Sequence, residues 1–144
     1  MVQAKFGRTA RIVSVDDHPL MVEGLRQLLA DEPDLELVGS AHDARTALKV
    51  VEAEQPDLVV VDISLKQSAS GIEVIKQLRG LYPNLVMLVL SVHEEAHFVE
   101  RALHAGASGY VLKDEFAHVI IRAIRQVLSG KTFLSEEVAQ RLLK

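Results

Sequence analysis

The chain contains no cysteine. That excludes disulfides, thiolate metal sites and cysteine nucleophiles, and it fits a reducing compartment such as the cytoplasm. A basic excess is missing too: the formal net charge is -4, so there is no electrostatic footprint for nucleic acid. No apolar run approaches membrane length, and the first residues hold no apolar stretch of the signal-peptide kind. Internal repeats and low-complexity tracts are absent. What remains is 144 residues, 49% hydrophobic and 25% charged. That is the composition of one globular domain long enough to bury a core.

The most informative stretch is Leu58-Val59-Val60-Val61-Asp62-Ile63-Ser64. Four aliphatic residues, three of them β-branched, read as a strand buried on both faces. The interior of such a strand has no cheap place for a carboxylate. Asp62 is therefore placed at the carboxyl end, the edge at which open α/β sheets bind ligands.

The rest of the chain alternates. Residues 1–9 have no pattern and form a lead-in. Residues 11–15 (RIVSV) make a first strand ending in Asp16-Asp17, with His18-Pro19 opening a helix over 20–30. An acid ahead of Pro19 suits the cap, and His18 is read as shaping the helix start, with a place on the pocket rim as the alternative. A weaker, alternating strand over 35–41 precedes a helix over 43–53 capped by Asp43. After the Asp62 strand come a polar loop over 66–70, a helix over 71–81 and a buried strand over 85–90 ending in Ser91. A helix over 94–104, a short strand over 109–112 ending in Lys113-Asp114, and an apolar helix over 116–128 follow. Five βα units predict a doubly wound, five-stranded parallel sheet of order 2-1-3-4-5, a flavodoxin-like fold. Strands two and five are expected at its edges.

Parallel strands bring their carboxyl ends to one edge, so Asp16, Asp17, Asp62, Ser91 and Lys113 share one pocket. Three carboxylates so close repel one another and raise each other's pKa values. A hard divalent cation relieves this, and Mg²⁺ takes carboxylate, water and phosphate oxygens. Lys113 supplies a compact charge for a phosphate oxygen. A carboxylate can itself be the nucleophile and form an aspartyl phosphate.

This set of residues, on these five strand ends, resembles the receiver domain of bacterial response regulators over roughly residues 10–130. The stretch VDDHPLMVEGL (15–25) and the tail GKTFLSEEVAQRLL (130–143) resemble the LuxR/NarL type. The resemblance implies that Asp62 accepts a phosphoryl group from a sensor histidine kinase. It implies that Asp17 ligates Mg²⁺ directly, that Asp16 acts through water, and that the Ser64 backbone carbonyl is a further ligand. Ser91 would turn its hydroxyl toward the phosphoryl group, and Lys113 would pair with it. Tyr110 matches an aromatic switch position that rotates inward as the serine moves. The surface of the fourth helix, fifth strand and fifth helix would then change its partner preference. Residues 131–144 would start a linker helix toward a C-terminal effector domain, through which alone DNA would be bound. A homodimer is a possible partner state, with the dimer surface open. Two departures stand out. Lys66 takes the place of a usual proline, and Gly71 lies nine residues after Asp62 rather than about eight, which makes that loop one residue longer. Asp114 replaces the proline that commonly follows the lysine, often through a cis bond, so the isomer of the Lys113–Asp114 bond is open.

His93-Glu94-Glu95-Ala96-His97 matches the H-E-x-x-H pattern of zinc proteases. It straddles a loop and a helix start, however, where that chemistry needs both histidines inside one helix. His93 is instead placed at the pocket rim, where it can affect access of water to a phosphoaspartate. The function expected is a phosphorylation-controlled switch, not an enzyme beyond its own phosphoryl transfer and dephosphorylation. The alternatives are a docking module of the same fold that works without phosphorylation, and an enzyme acting on a phosphorylated small molecule, which would need a cap.

Overall fold

In the computed structural model, residues 8–65 and 70–143 are described. Lys66, the substituted proline position, lies outside them, as do 1–7 of the lead-in. The chain runs β1 (Ala10–Val15), α1 (Pro19–Ala30), β2 (Leu35–Ala41), α2 (Ala44–Glu54), β3 (Leu58–Val61), α3 (Gly71–Leu81), β4 (Val86–Ser91), α4 (Ala96–Ala105), β5 (Gly109–Leu112), α5 (Phe116–Leu128), β6 (Phe133–Leu134) and α6 (Glu136–Leu142). The strands form one parallel sheet of order β2-β1-β3-β4-β5-β6.

Alternation along each central strand explains the layering. Leu58 and Val60 of β3, with Leu88 and Leu90 of β4, point to the face covered by α1 and α5, among Leu25, Leu29, Ile120 and Ile124. Val59, Val61, Met87 and Val89 point to the other face, among Val51 of α2, Ile75 and Leu78 of α3, and Val99 of α4. β3, apolar at every position, needs helices on both sides and lies at the centre, between β1 and β4.

The five-strand expectation needs correction. β5 is not an edge: all four of its residues are buried, and Phe133–Leu134 pair with Gly109–Tyr110 as a sixth strand. Gly130, at φ 94°, lets the chain leave α5 and turn back to the sheet. Gly109 permits the approach, since a side chain there would strike the Phe133 carbonyl oxygen. Two residues are too few to show a period of two, so β6 left no periodic signal. α4 also starts at Ala96 rather than at position 94, because the preceding residues are held in the loop by hydrogen bonds described below.

Helix ends follow their side chains. Asp43 caps α2 through the Thr46 amide at 2.7 Å, and burial of α5 is fixed at its far end by Arg125. The guanidinium grips the buried Asp34 carboxylate with both nitrogens, at 2.6 and 2.8 Å, and takes Glu32 at 2.6 Å. Replacing Arg125 with Met removes that compensation from a carboxylate 2% exposed. Fully buried pairs broken on one side lose about 3–5 kcal/mol, but the Arg125 side chain is 30% exposed, so a loss of about 2 kcal/mol is expected. A urea titration should show a lower midpoint with an unchanged slope.

Candidate functional site

Four strand ends meet at the carboxyl edge of the sheet. β1 delivers Asp16 and Asp17, β3 delivers Asp62, β4 ends in Ser91, and Lys113 follows β5. The backbone fixes the acids first: the Asp16 amide donates to the Ala41 carbonyl and the Asp62 amide to the Val15 carbonyl, at 2.9 and 2.8 Å. Asp62 is 1% exposed and Asp16 5%. The Lys113 ammonium reaches over β4 to lie 3.0 Å from Asp62 Oδ2 and 3.4 Å from Asp16 Oδ2. The other Asp62 oxygen accepts the Ser64 amide at 2.9 Å. Burial raises the Asp16 carboxyl above its ordinary value and the Asp62 charge adds to this, while hydrogen bonds from His18 and the Lys113 charge oppose it.

His18 stands nearer the centre than its helix-start reading suggested. Its Nδ1 is 2.7 Å from Asp16 Oδ1, 3.1 Å from Asp17 Oδ1, 3.4 Å from Asp62 Oδ2 and 3.0 Å from Lys113 Nζ. It occupies the N-cap position of α1 without a side-chain cap bond, and its amide donates to Asp16 Oδ1. The acid ahead of Pro19 thus turns into the pocket instead of capping the helix. Asp16, Asp17, His18 and Asp62 each offer one ligand atom, and these atoms lie within 4.8 Å of one another. Three carboxylate oxygens converging from two strand ends fit a hard divalent cation.

Lys113 is placed without a following proline. The Lys113–Asp114 peptide is trans. Residues Lys113–Glu115 make a 3₁₀ turn, and the Glu115 carboxylate accepts the Leu112 amide at 3.1 Å. That turn sets where the lysine leaves β5. The backbone of Asp62 and Ile63 packs against a residue whose role the sequence reading missed. A side chain at Gly71 would collide with the Asp62 carbonyl oxygen and the Ile63 Cα, so α3 packs its first residue directly on the backbone of the acidic loop. The signal was present: glycine opening a helix is costly and marks a close approach.

Ser91 and Tyr110 lie together, to one side of the acids. The buried Ser91 hydroxyl accepts the His93 amide at 2.9 Å, and the Tyr110 hydroxyl donates to the His93 carbonyl at 2.6 Å. Tyr110 is fully buried in the core shared by α2, α3 and α4, so its ring already points inward. The His93 ring stacks on Phe98 at 4.3 Å, and His97 leans on the same ring. His93 lies in the loop before α4 and His97 inside that helix.

The response regulator receiver domain family matches residues 12–125. The transcriptional regulatory protein DegU of Brevibacillus brevis is 37% identical over 134 residues, spanning 93% of this chain and 56% of that protein. The nitrate/nitrite response regulator protein NarL of Escherichia coli strain K12 is 35% identical over 129 residues, spanning 88% and 58%. The chain therefore covers little more than half the length of these curated relatives. A crystal structure of a two-component response regulator of the LuxR family from Aurantimonas sp. SI85-9A1 superposes with a TM-score of 0.89 at 36% identity, covering 94% of this chain and 96% of that one.

Burial pushes the Tyr110 phenol up to about 12, the Ser91 hydroxyl opposes this, and the Glu95 and Asp62 carboxylates add to it. The folded state thus favours the neutral phenol. The stability this contributes is fully present below the unfolded value of about 10 and is lost as pH rises from there to about 12. With Tyr82→Phe leaving a single tyrosine, the tyrosinate absorbance should rise with a midpoint near 12. A midpoint near 10 would show the ring exposed to solvent.

Proposed function

This chain belongs to the response regulator receiver domain family, as the receiver of a two-component regulator of the LuxR/NarL type, and from that membership we propose that Asp62 is its phosphoacceptor. The observation that carries the reading is the contact between the Lys113 ammonium and the buried Asp62 carboxylate, inside a pocket of two further acids. A docking module that works without phosphorylation has no need to bury an acid beside a lysine and bear the cost of desolvating both.

In the reaction proposed, an Asp62 oxygen attacks the phosphorus of a phosphohistidine on a sensor histidine kinase. A P–O bond forms and the P–N bond breaks. The imidazole leaves with the electron pair and takes up a proton. Lys113, already 3.0 Å from Oδ2, holds the carboxylate and then pairs with the phosphoryl oxygens. Asp17, Asp16 and Asp62, with the Ser64 carbonyl, would hold Mg²⁺, which when bound neutralises the acids and stabilises charge on the transferring group. Ser91 and Tyr110 are the side chains through which the phosphorylated state is read. Phosphorylation adds about two charges, and it shifts the protein only through contacts made differently in the two states.

The chain's chemistry is confined to its own phosphorylation and dephosphorylation. We place it in the cytoplasm; no helix among the described residues is long and apolar enough to cross a membrane. By analogy with DegU, a transcriptional regulatory protein, we read the output as transcriptional, with a second copy of the chain as a candidate partner.

Incubation with acetyl phosphate and Mg²⁺ should add one phosphoryl group by intact mass, and Asp62→Asn should add none. Phosphorylation of Asp62→Asn at the wild-type level would remove Asp62 from the role. His18 gives a second expectation. Asp16 and Asp17, which would hold Mg²⁺, now contact the His18 imidazole, so the ring would compete with the ion for their oxygens. Asn keeps a good N-cap for α1. His18→Asn should bind Mg²⁺ several-fold more tightly by titration calorimetry; equal affinity would show that the ring does not compete.

A further inference from the structure

Residues beyond the family match form a tail with its own contacts. β6 extends the sheet at β5, where Leu134 lies in register with Tyr110. Ser135, itself buried, caps α6 through the Val138 amide. α6 then lies across α4 and β5. Val138 is fully buried in the same core as Tyr110 and Val99, with Leu134 and Leu142 packed against it. At its far end Arg141 donates to Glu94 at 2.6 Å.

Glu94 is the informative partner, because it sits in the loop that runs from Ser91 to α4. The inner side of that loop is held by the Ser91 hydroxyl on the His93 amide and by the Tyr110 hydroxyl on the His93 carbonyl. Its outer side is held by Arg141. One five-residue loop thus joins the acceptor pocket to the tail. A half-exposed ion pair contributes little stability alone. Val138 and β6 supply the attachment, and the ion pair makes it depend on where the loop stands.

We propose that residues 133–142 are a reversible intramolecular cover on the face formed by α4 and β5, latched by Arg141 to Glu94 and released when Ser91 and the 91–95 loop move toward a phosphorylated Asp62. The inference rests on the function proposed for Asp62. Movement of the loop carries Glu94 away from Arg141, and any inward shift of Ser91 alters the seat of Tyr110, whose strand bears β6.

Amide hydrogen exchange of residues 133–142, read by mass spectrometry on the whole chain, tests this. Without phosphate, Arg141→Gln should speed exchange across α6 about threefold, the scale of a surface ion pair. With acetyl phosphate and Mg²⁺, the phosphorylated wild-type chain should exchange there about tenfold faster, within the range of ordinary coupling between sites. Asp62→Asn should show no change under the same treatment. Wild-type protection in Arg141→Gln overturns the latch. A chain shown by intact mass to be phosphorylated, yet with unchanged tail exchange, overturns the release while leaving the Asp62 reading intact. Failure of the wild type to gain a phosphoryl group overturns the Asp62 reading and the phosphate-driven release with it.

Discussion

A carboxylate buried inside a folded domain is the constraint on which the rest of this structure depends. Asp62 closes a strand of four buried aliphatic residues and is itself out of solvent. Such a charge is tolerated only with a partner, and the partner here is an ammonium from another strand. The strand order follows from that need as much as from hydrophobic patterning. β4 lies between β3 and β5, so Lys113 must leave β5 at the carboxyl edge and cross over Ser91 to reach Asp62 and Asp16. A lysine stem can cover apolar surface while placing its charge at the far end. With the Lys113 side chain 11% exposed, water takes little share of the compensation.

The same edge solves a second problem, on its apolar side. Tyr110 brings a hydroxyl into the core shared by α2, α3 and α4, where an unpaired hydroxyl is expensive. The loop after β4 supplies the acceptor, and Ser91 in turn takes that loop's amide. The polar groups beside the acceptor therefore satisfy one another through main-chain atoms of a single loop. A loop with few alternatives for its backbone groups moves as a unit, which is what a two-state element requires. The charged and apolar halves of the edge meet at Ser91.

Much of this was legible before any coordinates. Uninterrupted aliphatic runs gave β3 and β4, and an acid, a serine and a lysine at the ends of successive runs located the pocket. The terminators worked as written: α3 and α5 occupy the residues their spacing indicates, between glycine, proline and serine signals. Three features were not legible, each for a physical reason. β6 is too short to carry a period and exists because Gly109 and Gly130 let the chain return. The inward position of the His18 ring depends on acids brought together only by the sheet, so its neighbours in sequence favoured a role at the helix start over the pocket rim. The pair Arg141–Glu94 joins residues that no local pattern connects.

Glu115 shows what the end of β5 has to achieve. Receiver domains commonly follow the lysine with proline, and this chain has Asp114. Proline would fix φ and remove an amide donor at the strand end. Here the amide that needs a partner is that of Leu112, and the Glu115 carboxylate accepts it, drawing Lys113–Glu115 into a 3₁₀ turn that passes directly into α5. The side chain thereby does locally what ring closure does elsewhere: it ends the strand at Leu112 and fixes the point from which Lys113 departs. The requirement is the position of the ammonium over Asp62, and more than one backbone device can meet it.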